Sequence, residues 1–140
     1  MKLGVLVSGN LGNIVLQHLY DKHEIVFVFT DSKSDTIIAF CKDNNIDIFI
    51  GNPRKLNSKD FYEHKAIEVL VSVNYLFIIE KDLINHPSIL AFNIHGSLLP
   101  KYRGRTPHVW AIINNETKTG ITAHLIDEGC DTGDIIEQIE

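Results

Sequence analysis

The clearest indication of the fold class is the segment KLGVLVSGNLGNIVLQHLY, residues 2–20. Its first part, residues 2–7, is an apolar run with β-branched valines, which predicts a buried strand. The two glycines of SGNLGN, residues 8–13, predict a tight turn, and IVLQHLY, residues 14–20, predicts the helix that follows. A strand, a glycine turn and a helix together predict an α/β unit built on a parallel strand.

The same alternation continues along the chain. Further strands are predicted over 24–30, 46–50, 66–74 and 89–94, and helices over 34–45, 57–65 and 80–85. Because these strands are apolar on both faces, we predict a mostly parallel sheet with helices on both faces. After residue 94 the rhythm changes. A longer loop there leads to a predicted helix over 107–115 and two strands over 119–127 and 133–140.

Composition and charge exclude several classes of protein. The 140 residues are 44% hydrophobic and 22% charged, which is typical of one globular domain and not of a disordered chain. The net charge of −5 argues against an extended nucleic-acid-binding surface, because binding many phosphates requires a basic face. A local basic cluster remains at Lys101, Arg103 and Arg105, where it could hold a phosphate.

The cysteines and the N-terminal residues indicate the compartment. Cys41 and Cys130 lie far apart and form no CxxC pair, which favours two idle thiols in a reducing cytoplasm over a disulfide. The apolar run at the N-terminus is too short for a signal peptide or a membrane span. We therefore predict a cytoplasmic protein with no membrane partner.

SGNLGN is the first candidate site. A strand–glycine–helix junction presents backbone N–H groups at a helix N-terminus, which suits an anion such as a phosphate. The segment is not G-x-G-x-x-G and no P-loop lysine follows, so dinucleotide and Walker-type sites are excluded. The alternative is a turn that needs glycine only for its backbone angles. The candidate substrate-binding residues are Ser8, Gly9, Asn10, Gly12 and Asn13.

FNIHGSLLPKYRG, residues 92–104, is the second candidate site. Asn93 and His95 stand at the end of the fifth predicted strand, and ligands of open parallel sheets bind beyond the carboxyl ends of the strands. Alternation sends both side chains to the same side. A lone histidine is usually a packed residue and a lone asparagine a turn former. The pair, followed by SLLPKYRG, favours a functional site.

HLIDEGCDTGD, residues 124–134, is the third candidate. It ends a strand at Asp127, turns through Glu128 and Gly129, and presents Asp131. A solvated hairpin is the ordinary alternative, and the spacing of the carboxylates is not that of an EF-hand. With no H-E-x-x-H motif and no cysteine pair, zinc is unsupported as well. We predict no metal.

Residues 93–104 together with residues 127–133 resemble the folate-dependent formyltransferases. That superfamily includes methionyl-tRNA formyltransferase, glycinamide ribonucleotide formyltransferase and the sugar N-formyltransferases. The resemblance covers the whole chain and is strongest from about residue 67 to residue 137. It implies a Rossmann-like formyltransferase fold and a single catalytic domain over 1–140. That domain ends earlier than the family's usual domain, and the two interpretations left open are a C-terminal truncation and a reduced member of the family.

The resemblance implies a reaction and its catalytic residues. An amine attacks the formyl carbon of N10-formyltetrahydrofolate, the cofactor, and the tetrahedral intermediate collapses to a formamide and tetrahydrofolate. The family's catalytic asparagine, histidine and aspartate match Asn93, His95 and Asp131. Asn93 and His95 would stabilise the oxyanion, and Asp131 would orient His95 and help remove the amine proton. His124 matches a family position of strand histidines and is given a supporting role.

The resemblance also suggests where the cofactor and the substrate bind. The loop after the fourth strand would bind the pterin and residues 127–129 would close its other side, although plain core packing is the alternative for residues 75–79. The implied cofactor-binding residues are Tyr75, Leu76, Phe77, Ile78, Asp127, Glu128 and Gly129. The candidates for binding a substrate diphosphate are Arg103, Arg105 and the SGNLGN segment.

The expected substrate is a small-molecule amine, most simply a nucleotide-linked amino sugar. The stretch after the catalytic strand, KYRGRTPHVWAI, departs from the glycinamide ribonucleotide enzyme. The chain is acidic and stops at Glu140, before the β-barrel domain of the tRNA enzymes. The alternatives kept open are those two enzymes, a non-catalytic folate or sugar-nucleotide binding module, and a hydrolase that releases formate. Nucleic acid is expected only if the substrate is a tRNA, and a homodimer is left open.

Overall fold

The computed structural model describes residues 1–140 as seven strands and five helices. The strands are β1 (Lys2–Val7), β2 (Glu24–Thr30), β3 (Asp47–Ile50), β4 (Val69–Val73), β5 (Leu90–His95), β6 (Ile121–Leu125) and β7 (Ile135–Ile139). The helices are α1 (Gly9–Tyr20), α2 (Asp35–Asp43), α3 (Lys59–Tyr62), α4 (Lys81–Ile84) and α5 (Pro107–Ile113). The chain divides into two compact units, Met1–Ala91 and Phe92–Glu140, so that the boundary falls inside β5.

The first unit contains a parallel sheet with strand order β3-β2-β1-β4. Helices cover both of its faces. On one face Gly4 of β1 lies against the ring of Phe27, which contacts Phe61 of α3. On the other face Val7 of β1 lies against Gly12 of α1. The predicted α/β class, with a mostly parallel sheet and helices on both faces, is confirmed.

An aromatic cluster fills the α3 face of this sheet. Phe27 and Phe29 of β2 are fully buried. Phe29 stacks on Phe49 of β3 at 5.1 Å between ring centroids, and Phe61 packs edge-on against Phe29 at 5.5 Å. Gly4 is required here, because an added Cβ would lie 2.6 Å from Cζ of Phe27. Burial of these rings is the main source of stability for this face.

The turn predicted over residues 8–13 is wrong, because α1 already begins at Gly9. Ser8 is its N-cap, and the Ser8 carbonyl accepts the Gly12 N–H at 3.2 Å. Gly9 has a φ of +67°, which glycine tolerates best. Gly12 is needed for packing, since its Cβ would lie 2.9 Å from the Cβ of Val7. The glycines therefore serve the entry and the close packing of a helix.

The second unit is antiparallel, with strand order β5-β6-β7. The predicted helix over 107–115 is present as the shorter α5, with a proline in its first turn. β7 is exposed along its whole length, and three of its isoleucines are about half exposed. The two predicted C-terminal strands are confirmed as β6 and β7, each with narrower bounds.

Three further features concern thiols, metals and membranes. Both cysteines are free, and burial raises the pKa of the Cys41 thiol to about 11, so that it stays protonated at neutral pH. No group of three or more His, Cys, Asp or Glu side chains is arranged to hold a metal ion. None of the helices has the length and apolar character needed to cross a bilayer.

Substitution of Gly12 tests whether this glycine is a packing residue. Gly12→Ala gains about 1 kcal/mol of helix propensity but forces a methyl group onto Val7, and overpacking costs about 1–3 kcal/mol. We expect a net loss of about 1 kcal/mol in the free energy of unfolding, measured by urea denaturation. Asn10→Ala, an exposed change in the same helix, should leave stability unchanged or raise it. Equal stabilisation by both variants would contradict the packing role.

Candidate active site

Four polar side chains share one face of the second unit. β5 and β6 pair so that Asn93 lies opposite His124 and His95 lies opposite Thr122. Residues two apart on a strand, and residues directly opposite across a pair, project to the same side. The predicted same-side placement of Asn93 and His95 is therefore confirmed. His95 and His124 are buried, with 7% and 3% of their surface exposed.

Asp131 lies between the two imidazoles. Its Oδ2 is 3.5 Å from Nδ1 of His95, and its Oδ1 is 3.4 Å from Nε2 of His124. Oδ2 also accepts the Gly104 N–H at 2.8 Å. Asp131 has a φ of +54°, a left-handed backbone angle that aspartate tolerates better than most residues. The structure thus brings Asp131 to His95, as the sequence predicts.

The environment of Asp131 keeps its carboxyl group ionised. Burial opposes ionisation, but the hydrogen bond from His124, the Gly104 N–H and the charge of His95 outweigh it and lower the pKa of Asp131 to about 2. At neutral pH this side chain is therefore an acceptor only. It can orient donors and receive a proton, and it cannot donate one.

Both ring nitrogens of His95 face acceptors. Nε2 donates a hydrogen bond to the Tyr102 carbonyl at 2.6 Å, because a carbonyl can only accept. Nε2 therefore carries a hydrogen in either protonation state of the ring, and Nδ1, which faces Asp131, can donate to Asp131 only when the ring is protonated. The Tyr102 carbonyl is a partner that the sequence does not predict. Any substrate oxygen that approaches Nε2 competes with this carbonyl.

His124 connects Asn93 to Asp131. Its Nδ1 donates to the Leu125 carbonyl at 2.9 Å, and its Nε2 lies 3.2 Å from Nδ2 of Asn93. The hydrogen bond to Asp131 raises the pKa of His124 and burial opposes the shift, while the Leu125 carbonyl and nearby carboxylates add to it. From the sequence, His124 is assigned only a supporting role. Its direct contact with Asn93 follows from the β5–β6 register.

A buried network holds the loop that follows His95. Oγ1 of Thr122 donates to the Ser97 carbonyl at 2.7 Å and accepts the Leu99 N–H at 3.1 Å. Gln138 of β7 donates to the Leu99 carbonyl at 2.9 Å. Ser97 in turn donates to the Lys101 carbonyl at 2.6 Å. β6 and β7 thereby fix the loop that supplies the Tyr102 carbonyl and the Gly104 N–H. Sequence reasoning missed these residues.

The acidic loop of the second unit closes on itself. Oδ1 of Asp127 accepts the Gly129 N–H at 2.9 Å and the Thr132 hydroxyl at 2.7 Å. Glu128 is exposed beside them. These bonds form a compact turn that positions Asp131. One carboxylate oxygen of Asp127 is therefore already engaged within the loop.

The predicted pterin-binding segment follows β4 in the first unit. Leu76 and Ile78 are 48% and 64% exposed, so they are not core residues. Tyr75 and Phe77 are half-buried and meet edge-on at 5.6 Å between ring centroids. The Tyr75 hydroxyl is buried and has no hydrogen-bond partner. Burial, together with the charge of Asp31, raises the pKa of Tyr75.

The start of α1 carries an acidic neighbour that the sequence analysis missed. The Gly9 N–H donates to Oγ of Ser34 at 3.0 Å, and this hydroxyl donates to Oδ1 of Asp31 at 2.6 Å. Burial opposes ionisation of Asp31, but the Ser34 hydroxyl and the Lys33 N–H lower its pKa. An anion at the α1 N-terminus therefore meets a carboxylate. The available signal was an aspartate directly after the apolar run of β2.

The other predicted substrate-binding residues are distributed as follows. In the first unit Ser8 is buried, Asn10 is exposed, Gly12 packs on Val7, and the Asn13 side-chain oxygen is buried without a partner. In the second unit Arg103 and Arg105 are exposed on the loop after β5.

The lowered pKa of Asp131 predicts a pH-dependent loss of stability. Its value of about 2 lies below the ordinary 3.8, so the stabilisation is complete above about pH 4 and is lost as the pH falls towards 2. A shift of this size is about 2 kcal/mol. We expect Asp131→Asn to lower the free energy of unfolding by that amount at neutral pH, measured by urea denaturation. The free energy of unfolding of this variant should also fall less steeply than that of the unmodified chain between about pH 4 and pH 2, which is the acid limb of the stability curve.

Glu137→Gln is the control for this prediction, because it removes an exposed carboxylate from β7 of the same unit. The control should leave the acid limb unchanged. An unchanged acid limb in Asp131→Asn would show that Asp131 is not the buried, ionised group described.

Comparison with known proteins places the chain among enzymes of one type. Residues 1–140 match the family model described as formyl transferase. Among curated proteins, the chain is 34% identical to a methionyl-tRNA formyltransferase from a Nitratiruptor species, over 97% of this chain and 49% of that protein. It likewise spans less than half the length of other methionyl-tRNA formyltransferases that it matches.

Solved structures give the same result. Phosphoribosylglycinamide formyltransferase from Streptococcus pneumoniae TIGR4 is 25% identical with a TM-score of 0.81, covering 99% of this chain and 80% of that one. WlaRD, a sugar 3N-formyl transferase solved in the presence of dTDP and 5-N-formyl-THF, is 27% identical with a TM-score of 0.73. The match covers 99% of this chain and 51% of that one. The Rossmann-like fold of these proteins is the predicted one.

Proposed function

The chain belongs to the formyl transferase family, and on that premise we propose that it transfers a formyl group from N10-formyltetrahydrofolate to an amine, with a nucleotide-linked amino sugar or a similar small amine as the acceptor. The observation that carries the proposal is the cluster of Asn93, His95 and Asp131 in the second unit, in which Asp131 lies beside His95 and His124 links Asp131 to Asn93. Acyl transfer to an amine needs a donor for the developing oxyanion and an acceptor for the amine proton, and the amide, the imidazoles and the ionised carboxylate can supply both.

The segment after β4 supports a folate in the first unit. Leu76 and Ile78 present apolar surface, and the Tyr75 hydroxyl is a buried polar group without a partner. Both features fit a ring system that has flat apolar faces and polar edges. We propose that residues 75–78 contact this ring system. In the second unit, the turn at residues 127–129 is proposed as a further folate contact. When bound, N10-formyltetrahydrofolate supplies an electrophilic formyl carbon.

Each residue of the cluster would then have a separate role in the reaction. Asn93 would donate an amide N–H to the negative charge that develops on the formyl oxygen, where a fixed donor is worth a few kcal/mol. With the hydrogen of His95 on Nε2, Nδ1 of His95 and Oδ2 of Asp131 are two acceptors 3.5 Å apart, and a proton that leaves the attacking amine would be held between them. The ionised Asp131 would then bind the protonated His95 through Nδ1. No side chain needs to act as a nucleophile.

Removal of the proposed donor should lower the rate of the chemical step. Asn93→Ala should reduce kcat for tetrahydrofolate release by about 10²–10³-fold, the usual effect of losing one oxyanion donor. Asn114→Ala removes an exposed asparagine side chain of the same unit, which donates to the Trp110 carbonyl at the end of α5 and also hydrogen-bonds the Tyr102 side chain. It should leave kcat unchanged. An equal loss in both variants would mean that the effect is structural.

The acceptor is identified by following tetrahydrofolate release with different amines. The reaction is run without an acceptor, with an amino-sugar nucleotide, with glycinamide ribonucleotide and with charged initiator tRNA. We expect release to depend on the amine and to be fastest with the amino-sugar nucleotide. Equal release without any amine would instead support a hydrolase that liberates formate. Binding without release would support a non-catalytic module.

Two separate candidates are proposed for binding the anionic part of the substrate: Arg103 and Arg105 of the second unit, and the N-terminus of α1 in the first unit. If α1 holds a phosphate, the Asp31 carboxylate opposes it. Asp31→Asn keeps an acceptor for Ser34 and removes the charge, so it should lower the KM for a diphosphate-bearing acceptor by on the order of tenfold. Asp35→Asn, an exposed change in α2, is the control and should have little effect. An unchanged KM in Asp31→Asn would place the phosphate elsewhere.

A further inference from the structure

The contact between Asn93 and His124 depends on which atoms carry hydrogens. Nδ1 of His124 lies 2.9 Å from the Leu125 carbonyl, which can only accept, so this nitrogen carries a hydrogen in either protonation state. In the neutral ring Nε2 is then an acceptor. It accepts the amide N–H of Asn93, whose Nδ2 is 3.2 Å away. In this state the Asn93 amide oxygen points away from His124.

Protonation of His124 reverses this contact. Nε2 then carries a hydrogen, and the Nδ2 of Asn93 becomes a donor that faces another donor. Rotation of the amide about Cβ–Cγ exchanges its two ends, so that Oδ1 accepts from Nε2 and the NH₂ group points away from His124. Oδ1 of Asp131, 3.4 Å from the same nitrogen, also accepts from the protonated ring. The imidazole therefore selects one of two amide orientations.

We propose that His124 is a positioning residue whose protonation state sets which end of the Asn93 amide faces the formyl group. The inference rests on the proposed function, in which Asn93 donates to the formyl oxygen. Protonated His124 holds Oδ1 and directs the NH₂ group to the developing negative charge. Neutral His124 holds the NH₂ group and presents an amide oxygen, which repels that charge. The active form is therefore the protonated one.

The groups around His124 determine where it titrates. Asp131 faces its Nε2, and the charge of Asp127 acts from the same loop. On β5 it faces Asn93, with His95 two residues further along, and on β7 it pairs with Ile135. The hydrogen bond to Asp131 raises the pKa of His124 above its ordinary 6.5, against the effect of burial. The protonated form is thus retained to a higher pH, and transfer should decline as the pH rises through this raised pKa.

Nuclear magnetic resonance of the whole chain tests the amide directly, without any formyl donor. The ¹⁵N side-chain resonances of Asn93 are assigned by their loss in Asn93→Ser and are followed from pH 5 to pH 9 beside the ring signals of His124. We expect the Asn93 amide and the His124 ring to shift with one common midpoint. An Asn93 amide that stays constant while His124 titrates would overturn the proposal.

A variant separates positioning from support of the fold. His124→Gln places a non-titrating amide beside Asn93, so the pH-dependent shift of Asn93 and the alkaline loss of kcat should both disappear. A merely structural role would lower kcat but keep the alkaline midpoint, and that result would overturn the proposal. His108→Gln, an exposed histidine of the same unit, is the control and should leave both titrations in place.

The two readouts distinguish failure of the inference from failure of the proposed function. A chain that transfers no formyl group but shows the common midpoint contradicts the proposed function and keeps the coupling between His124 and Asn93. A chain that transfers formyl groups with a constant Asn93 amide keeps the function and rejects the coupling.

Discussion

The second unit is organised around one partly buried carboxylate, that of Asp131. Asp131 places an oxygen beside His95 on β5 and the other beside His124 on β6. A charge removed from water is tolerated only where partners satisfy it, and here the Gly104 N–H donates to Asp131 while the two imidazoles lie within 3.5 Å of its oxygens. The loops at residues 96–106 and 126–134 must both adopt conformations that keep these donors and this acceptor together. The candidate chemistry depends on that arrangement.

The antiparallel register of β5 and β6 makes this arrangement possible. It sets Asn93 opposite His124 and His95 opposite Thr122, so one strand pair carries four polar residues on one face. Thr122 anchors the loop after His95, and that loop returns the Tyr102 carbonyl to His95. Each catalytic candidate is thus held by a partner that is itself held by the backbone. Such support is what keeps a site within narrow geometric limits.

Much of the fold could be predicted from local patterns. Apolar runs predicted the strands, most strongly β1, β2 and β4, where burial of both faces requires such a run, and the strand bounds differ by few residues. SGNLGN was predicted wrongly as a turn, because glycine is the common residue of turns and also the residue that lets α1 approach Val7. Only tertiary contact distinguishes these uses. Asn93, His95 and Asp131 were predicted from their motifs and are brought together by the structure.

Hydrogen bonds made by backbone groups that are distant in the sequence could not be predicted. The Tyr102 carbonyl and the Gly104 N–H belong to every residue type, so no residue pattern marks them as partners of His95 and Asp131. The direct contact of His124 with Asn93 depends on a strand register that a single sequence leaves open. Asp31 was overlooked because its effect arises only where Ser34 joins it to the start of α1.

The most direct test of this account follows a ¹³C label from the formyl group of N10-formyltetrahydrofolate in the presence of an amino-sugar nucleotide. We expect the label to appear as a formamide on the amine with the unmodified chain and to be almost absent from the formamide with Asp131→Asn. Label that accumulates as free formate, or that reaches the amine equally well without the Asp131 carboxylate, would contradict it.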